Sequence, residues 1–181
     1  MKQYFYFLIF LLFFLSIYGG MHYYVFRRMS GLFGVKRNAR FYIIMICMTL
    51  SFVAASFLER RFSNSLTRII YIAASIWMGY IFVQFSLLPV YEIIRLIRPL
   101  PLRKSGMTLL FIALTLCIYA MFNALFIEVR YREFSSDKIK NEIRIAQISD
   151  IHLGTIHQGG YLGRVVKIVK TLNPDIVCVT G

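Results

Sequence analysis

Four long apolar runs without Asp, Glu, Lys or Arg restrict what this chain can fold into. They cover residues 3–26, 41–58, 69–91 and 105–127. A helix of about 20 apolar residues crosses the hydrocarbon core of a bilayer. Within lipid, a single helix satisfies all its backbone hydrogen bonds internally, which an open strand does not. The runs therefore predict a region of four transmembrane helices over residues 1–127.

The composition of the 181-residue chain agrees with this prediction. It is 59% hydrophobic and 16% charged, whereas soluble domains are about 45–50% apolar and about 25% charged. The net charge of +13 would favour nucleic acid as the partner of a soluble protein. Here the basic residues lie between the apolar runs, where they fix topology and meet anionic headgroups. We therefore expect the lipid bilayer, and not nucleic acid, as the partner; no protein partner is indicated.

The first apolar run has a second interpretation, because a signal peptide also begins with a basic residue and an apolar stretch. The stretch is long for a signal peptide, and Gly19-Gly20 is a weak candidate for a cleavage site. We favour an uncleaved span. His22 lies near its end beside Tyr23 and Tyr24, and we expect its ring at the membrane interface.

Two residues in the third run bear on its structure and role. Gln84 is expected to hydrogen-bond to a neighbouring helix. Pro89 is expected to kink or end its helix, after which residues 90–97 could continue as an interfacial helix. Because none of the four runs contains an ionisable Asp, Glu, Lys or Arg, the helices are expected to anchor the protein and not to transport ions.

The distribution of basic residues predicts an orientation. The segments after the first and third runs carry five and four Lys or Arg, whereas the N-terminal tail and the segment after the second run carry one and three. Basic loops face the cytoplasm. The chain is therefore expected to be a multi-pass membrane protein whose C-terminal part is extracytoplasmic. Four basic residues that follow the last run oppose this assignment: Arg130, Arg132, Lys138 and Lys140.

The composition changes after the fourth run. Residues 128–142 are polar and charged and indicate a juxtamembrane segment, and the globular part follows over residues 143–181. In it, residues 143–148 predict a strand, 161–172 a helix, and 176–180 a second strand suited to a buried parallel position. A strand–helix–strand unit with a right-handed crossover has parallel strands. The helix places on one stripe Leu162, Val165, Val166, Val169 and Leu172.

Asp150 and His152 directly follow the first predicted strand, and ligands of such sheets gather at the carboxyl ends of the strands. A carboxylate oxygen and an imidazole nitrogen suit Zn, Fe or Mn. Asp-x-His alone is a weak signal, since the Asp can simply cap the next turn and the His can simply be exposed. His157 is a further candidate near the site, although an exposed loop histidine is the simpler interpretation.

The residues around this pair resemble the opening of the calcineurin-like metallophosphoesterases. The similar segments are residues 147–154, Gln-Ile-Ser-Asp-Ile-His-Leu-Gly, and residues 173–181, Asn-Pro-Asp-Ile-Val-Cys-Val-Thr-Gly. The first motif of that family is Asp-x-His. Its second motif is Gly-Asp-x-x-Asp, which follows a Pro-Asp-hydrophobic lead-in, and Gly181 would be its first residue. The order of the parts, a membrane anchor followed by the domain, resembles the order in the membrane-attached branch of the family.

The resemblance implies an α-helical membrane anchor followed by the first βαβ unit of an α/β metallophosphoesterase sandwich, here incomplete. Asp150 and His152 would be ligands of the first of two divalent metal ions, Mn, Fe or Zn. The implied activity is two-metal hydrolysis of a phosphate ester or diester, such as a lipid headgroup or a nucleotide-linked lipid, at a bacterial cell membrane. The bridging Asp would come after Gly181. A chain ending there is therefore expected to be an inactive N-terminal fragment that lacks most metal ligands.

The alternative is a non-catalytic integral membrane protein, in which the helical bundle carries the function and the C-terminal part is a remnant or binding module. The reading frame separates the two hypotheses. A continuation with Asp-x-x-Asp and later Asn-His and His motifs favours the enzyme, whereas a stop codon favours the alternative. A third hypothesis is the binding of anionic lipid by the basic segment of residues 27–40.

Overall fold

The structure is a computed structural model that describes residues 2–139, 141–149, 151, 154 and 159–180. The chain divides into two units, residues 1–123 and 124–181. The first unit consists of α1 (Lys2–Phe33), α2 (Ala39–Phe62), α3 (Ser65–Ile97) and α4 (Leu102–Asn123). The described residues of the second unit contain β1 (Ile145–Ser149), α5 (Gly159–Leu172) and β2 (Ile176–Thr180).

The helices α1 to α4 are long and apolar enough to cross a bilayer, which confirms the prediction of four long apolar helices and is consistent with a multi-pass membrane protein. Most of their large apolar side chains are exposed on the protein surface, among them Phe13, Phe57, Phe82 and Phe111. Contiguous apolar surface of this extent is unusual for a soluble monomer. Because lipid tails are themselves apolar, it is the surface that a multi-pass membrane protein presents.

Helices α1 and α3 each contact the other three helices of the first unit. A small residue brings α1 and α4 close together: a Cβ atom on Gly106 would lie 2.9 Å from ring carbons of Phe33. Small residues at such crossings allow backbones in membranes to approach. The buried core draws on α1, α3 and α4 and contains Val25, Leu32, Ile81, Leu88, Tyr91 and Leu109.

Polar side chains fix the turn between α2 and α3. Ser63 ends α2 in the left-handed region, with φ of 41°. Asn64 caps α3: its side chain accepts from the N–H of Thr67 at 2.9 Å, and its own N–H donates to the Thr67 hydroxyl at 3.1 Å. The Thr67 hydroxyl in turn donates to Glu59 at 2.6 Å. This reciprocal cap satisfies backbone donors that the first turn of a helix leaves free.

Helix α3 continues through Pro89 to Ile97, so of the two effects expected of Pro89, a kink or an end of the helix, the end does not occur, and the helical continuation over residues 90–97 is confirmed. A proline removes one backbone hydrogen bond from a helix. Contacts beyond the helix hold the turn that follows: Glu92 accepts from the Tyr24 hydroxyl at 2.7 Å and pairs with Arg28. Tertiary contacts with α1 therefore oppose the local preference of Pro89.

In the second unit, β1 and β2 pair in parallel, with Ile145 opposite Ile176 and Ser149 opposite Thr180. Helix α5 lies between them in the chain, which confirms the predicted strand–helix–strand order and the parallel pairing. The strand β1 begins two residues later than predicted. The described residues before it in this unit, 124–139 and 141–144, form neither helix nor strand.

The predicted burial of β2 is wrong, because all five of its residues are exposed. The described residues form a sheet of two strands, and a sheet this small has too few neighbours to cover both of its faces. The apolar stripe of α5 is also shifted. Val165 is buried, but Val166 is 43% exposed, and Ile168 is partly buried in its place.

Candidate functional site

The candidate site lies at the edge where β1 and β2 both end. Ser149 and Thr180, the last residues of the two strands, are direct partners in the parallel register. The residues that follow them in the chain are Asp150 and Gly181. In open sheets with parallel strands and helical crossovers, ligands bind outside this carboxyl edge. The register therefore brings the ends of both strands, Ser149 and Thr180, to one edge of the sheet.

The predicted metal ligands Asp150 and His152 lie outside the residues that the structure describes, as do His157 and Gly181. Between them, Ile151 is partly buried, and Gly154 lies in an exposed turn. The described ranges contain no cluster of three or more His, Cys, Asp or Glu side chains that could hold a metal ion. The assignment of Asp150 and His152 as ligands thus stays a prediction from the sequence.

Polar side chains line the described part of the carboxyl edge. The amide Nε2 of Gln147 donates to the hydroxyl of Thr180 at 3.3 Å. Gln147 and Ser149 are exposed, whereas Ala146 and Ile148 are partly buried, as the two-residue period of a strand requires. The hydroxyls and the amide therefore share one face of the strand pair near its carboxyl end, where a polar ligand could reach them.

The opposite edge of the strand pair is held by Arg144 and Asp175. The N–H of Arg144 donates to the Asp175 carboxylate at 2.8 Å, and the N–H of Asp175 donates to the Arg144 carbonyl at 2.8 Å. The Arg144 guanidinium also donates to the carbonyl of Leu172, at the end of α5, at 3.1 Å. Asp175, the acidic residue of the Pro-Asp-hydrophobic segment, thus has a structural role. Its hydrogen bonds with Arg144 hold the two strands in register at the edge opposite the candidate site.

The segment before β1 contains an exposed ion pair. The guanidinium of Arg130 donates to both carboxylate oxygens of Glu128, at 3.1 Å each. These hydrogen bonds and the positive charge of Arg130 hold the pKa of Glu128 below its usual range. Glu128 is therefore ionised at neutral pH. Because both side chains are in water, the pair contributes little to stability.

Sequence reasoning missed the burial of His22 in the membrane unit. His22 is fully buried within the helical unit, and its ring centroid lies 4.4 Å from that of Tyr18 and 6.4 Å from that of Trp77. Its Nδ1 lies 3.0 Å from the carbonyl oxygen of Tyr18, which can only accept. The spacing of Tyr18, His22, Val25 and Leu32 along one face of α1 was the signal that could have identified it.

Gln84 behaves as predicted. Its amide Nε2 donates to the backbone carbonyl of Leu109 in α4 at 3.3 Å and to the hydroxyl of Tyr80 at 2.9 Å. The side chain is fully buried, and it links α3 to α4. The expected hydrogen bond to a neighbouring helix is therefore confirmed.

No protein-family model matches the chain, and no curated protein or solved structure matches it either.

Proposed function

We propose that this chain is the membrane-anchored N-terminal part of a metal-dependent phosphoesterase. The observation that supports this function best is the parallel pairing of β1 and β2, in which Ser149 lies opposite Thr180. Asp150 and Gly181 are the next residues of the chain. Ligands of such sheets gather at the carboxyl ends of adjacent parallel strands, and a register in which β1 and β2 end together is compatible with a metal site there.

The proposed roles of the two candidate ligands follow from their chemistry. Asp150 would contribute a carboxylate oxygen and His152 a neutral imidazole nitrogen, a donor set that suits Zn, Fe or Mn. A pair of such ions supplies an activated water and neutralises charge on the phosphoryl group. The imidazole has a second ring nitrogen, and a hydrogen bond to it would fix the tautomer that binds.

Two ligands do not complete a two-metal site. The chemistry requires at least one bridging carboxylate and further His or Asn ligands, which would lie beyond Gly181 in a longer protein. The helices α1 to α4 would hold the enzyme at a bilayer, so a phosphate ester of a lipid headgroup or of a nucleotide-linked lipid is the proposed substrate class.

Hydrolysis by the protein encoded by the whole reading frame tests the proposal. The gene is sequenced past codon 181, and the product is purified in detergent and assayed on bis(p-nitrophenyl) phosphate with added Mn²⁺. We expect Asp150→Asn and His152→Ala each to lower kcat/KM by at least about 100-fold, because changes even to residues behind the metal ligands cost about 10–100-fold.

His157→Ala is the matched control, since it removes a histidine five positions further along the chain. It should retain most of the activity. A stop codon directly after Gly181, or activity that is unaffected by Asp150→Asn and His152→Ala, would overturn the proposal. The non-catalytic alternative would then be favoured.

A further inference from the structure

A pocket lies where α1 contacts α3, close to the C-terminal ends of both helices. Its volume is about 530 Å³, and pockets that bind small molecules have volumes of about 300–1,000 Å³. Its lining residues are Arg28 of α1 and, in α3, Pro89, Glu92, Ile93, Arg95 and Leu96. The described lining thus combines two guanidinium groups and one carboxylate with apolar side chains, and it carries a net positive charge.

Arg95 brings an unpaired positive charge to this pocket. Glu92 already accepts from two groups of α1, the hydroxyl of Tyr24 at 2.7 Å and the Nε of Arg28. The side chain of Arg95, one turn further along α3, acts on this carboxylate through its charge but has no hydrogen bond or ion pair with any described residue. A guanidinium carries five N–H donors, and Arg95 is exposed. Its donors are therefore accessible to a ligand.

The pocket lies at a depth that suits a lipid headgroup. Helix α3 has 33 residues, a length of about 50 Å at about 1.5 Å per residue, whereas the hydrocarbon core of a bilayer is about 30 Å thick. Charged side chains avoid that core, so Arg28, Glu92 and Arg95 place this end of the helices in the headgroup layer. Ile93 and Leu96 of the same wall are 60% and 87% exposed. A matching ligand therefore carries both an anion and hydrocarbon chains.

We propose that this pocket binds the headgroup of an anionic phospholipid of the surrounding bilayer. The guanidinium of Arg95 donates to the phosphate oxygens, and the acyl chains lie against Ile93 and Leu96. Arg28 neutralises Glu92, so the carboxylate does not repel the phosphate. Basic pockets between membrane helices bind anionic headgroups through the same attraction. The site lies in the helical unit and does not depend on the proposed metal site.

Binding of single lipid molecules to the full chain tests this site. The chain is purified in an uncharged detergent, because such a micelle excludes the general attraction between basic loops and an anionic bilayer surface. The probes are phosphatidylglycerol and phosphatidylcholine with identical acyl chains, and native mass spectrometry gives the Kd of the first bound lipid. Both lipids contain the phosphate, but phosphatidylcholine also carries a quaternary ammonium group that Arg95 would repel.

We expect a Kd about fivefold lower for phosphatidylglycerol than for phosphatidylcholine, the factor that one unpaired cation contributes to the binding of an anionic lipid. Arg95→Gln removes this charge and leaves the pair of Arg28 with Glu92 intact, so it should abolish the difference by weakening the binding of phosphatidylglycerol alone. Arg37→Gln is the matched control. It removes the same charge from the exposed segment after α1, outside the pocket lining, and it should keep the difference.

Equal affinity of the wild-type protein for the two lipids would overturn the proposal. An equal effect of Arg95→Gln and Arg37→Gln would also overturn it, because the preference would then not arise from this pocket. So would displacement of phosphatidylglycerol by an equal concentration of soluble glycerol 3-phosphate, since the acyl chains would then contribute nothing. Should circular dichroism show that Arg95→Gln fails to fold, a phosphatidylglycerol with a photoactivatable headgroup decides in the wild-type protein. We expect its cross-links in residues 89–96, and cross-links confined to other segments would contradict the proposal.

Discussion

Arg28 near the end of α1 and Glu92 near the end of α3 form an ion pair, and the hydroxyl of Tyr24 donates to the same carboxylate oxygen at 2.7 Å. The contact places the C-terminal ends of α1 and α3 on the same side of the helical unit. The basic segments that follow these helices therefore share one face of the membrane. The predicted orientation depends on these two basic segments being on the same side.

The first prediction concerns this ion pair. Glu92→Gln retains an acceptor for Tyr24 and removes the charge that faces Arg28. The two charged side chains are 30% and 41% exposed, so water screens them, and we expect a coupling of about 1 kcal/mol. A double-mutant cycle with Arg28→Met, followed by reversible unfolding in detergent micelles, measures it.

The exposed carboxylate of Glu133 provides a control for the change in net charge. Glu133→Gln should leave the unfolding free energy of the helical unit unchanged. A coupling energy indistinguishable from zero in the cycle would mean that the pair is a surface contact and that packing alone joins α1 to α3.

The helical region could be predicted from the sequence because a helix must have about 20 apolar residues to cross a bilayer, and each of the four uncharged runs is about that long or longer. The residues near the ends of the helices did not predict where the helices end. Helix α4 ends at Asn123, four residues before the end of its apolar run, and α3 passes through Pro89 to Glu92, which has partners on α1. Contacts between helices decide such features, and no window of a single sequence contains them.

The candidate site could be predicted in part. The bounds of β2 and its parallel pairing with β1 agree with the prediction, whereas the assignment of Asp150 and His152 as metal ligands stays a prediction. The burial of β2 could not be predicted from its apolar residues, because burial depends on which other elements cover the sheet. The hydrogen bonding of Asp175 to Arg144 could not be predicted either, since the two residues are 31 positions apart in the chain.

The second prediction tests the close approach of α1 and α4. Gly106 lies where a Cβ atom would be 2.9 Å from the Phe33 ring and 3.2 Å from Cβ of Leu32. We expect Gly106→Leu to force the helices apart and to lower the unfolding free energy by about 1–3 kcal/mol, the usual range for overpacking. Thermal unfolding in micelles, monitored by circular dichroism, measures the loss.

Gly79 of α3 is the matched control, because a Cβ atom at this position would meet no atom within 4 Å. Gly79→Leu makes the same chemical change on a neighbouring helix, and it should be neutral or slightly stabilising, since Leu favours helix over Gly. If both variants lose the same stability, the crossing at Gly106 is not tightly packed.

The third prediction concerns orientation and uses Cys178, an exposed thiol in β2. The other two cysteines, Cys47 and Cys117, lie within α2 and α4. If the basic segments after α1 and α3 face the cytoplasm, the C-terminal part is outside. A membrane-impermeant maleimide added to intact cells should then label the protein, and Cys178→Ser should abolish the labelling.

Labelling of Cys178 that requires permeabilised cells would place the C-terminal part in the cytoplasm. The basic residues that follow α4 would then outweigh those that follow α1 and α3. Labelling of Cys178→Ser in permeabilised cells measures the background from the two cysteines within the helices.

The fourth prediction is that residues 138–181, expressed alone, are largely unfolded. Among the described residues of the second unit, Val165 is the one hydrophobic side chain that is buried, whereas Ile176, Val177 and Val179 of β2 are exposed. A two-stranded sheet is at best marginally stable in water. Chains below about 40 residues seldom bury enough surface to fold without a disulfide, a metal or a partner, and this segment is barely longer.

We therefore expect a disordered far-UV circular dichroism spectrum and amide proton signals confined to the narrow range of unfolded peptides. The hydrogen bonds between Arg144 and Asp175 hold the register only when the strands already pair, so they cannot replace the missing core. A cooperative thermal transition with dispersed amide signals would contradict this expectation. The strand pair would then fold without further covering elements, and Asp150 and His152 could be titrated with Mn²⁺ in the isolated segment.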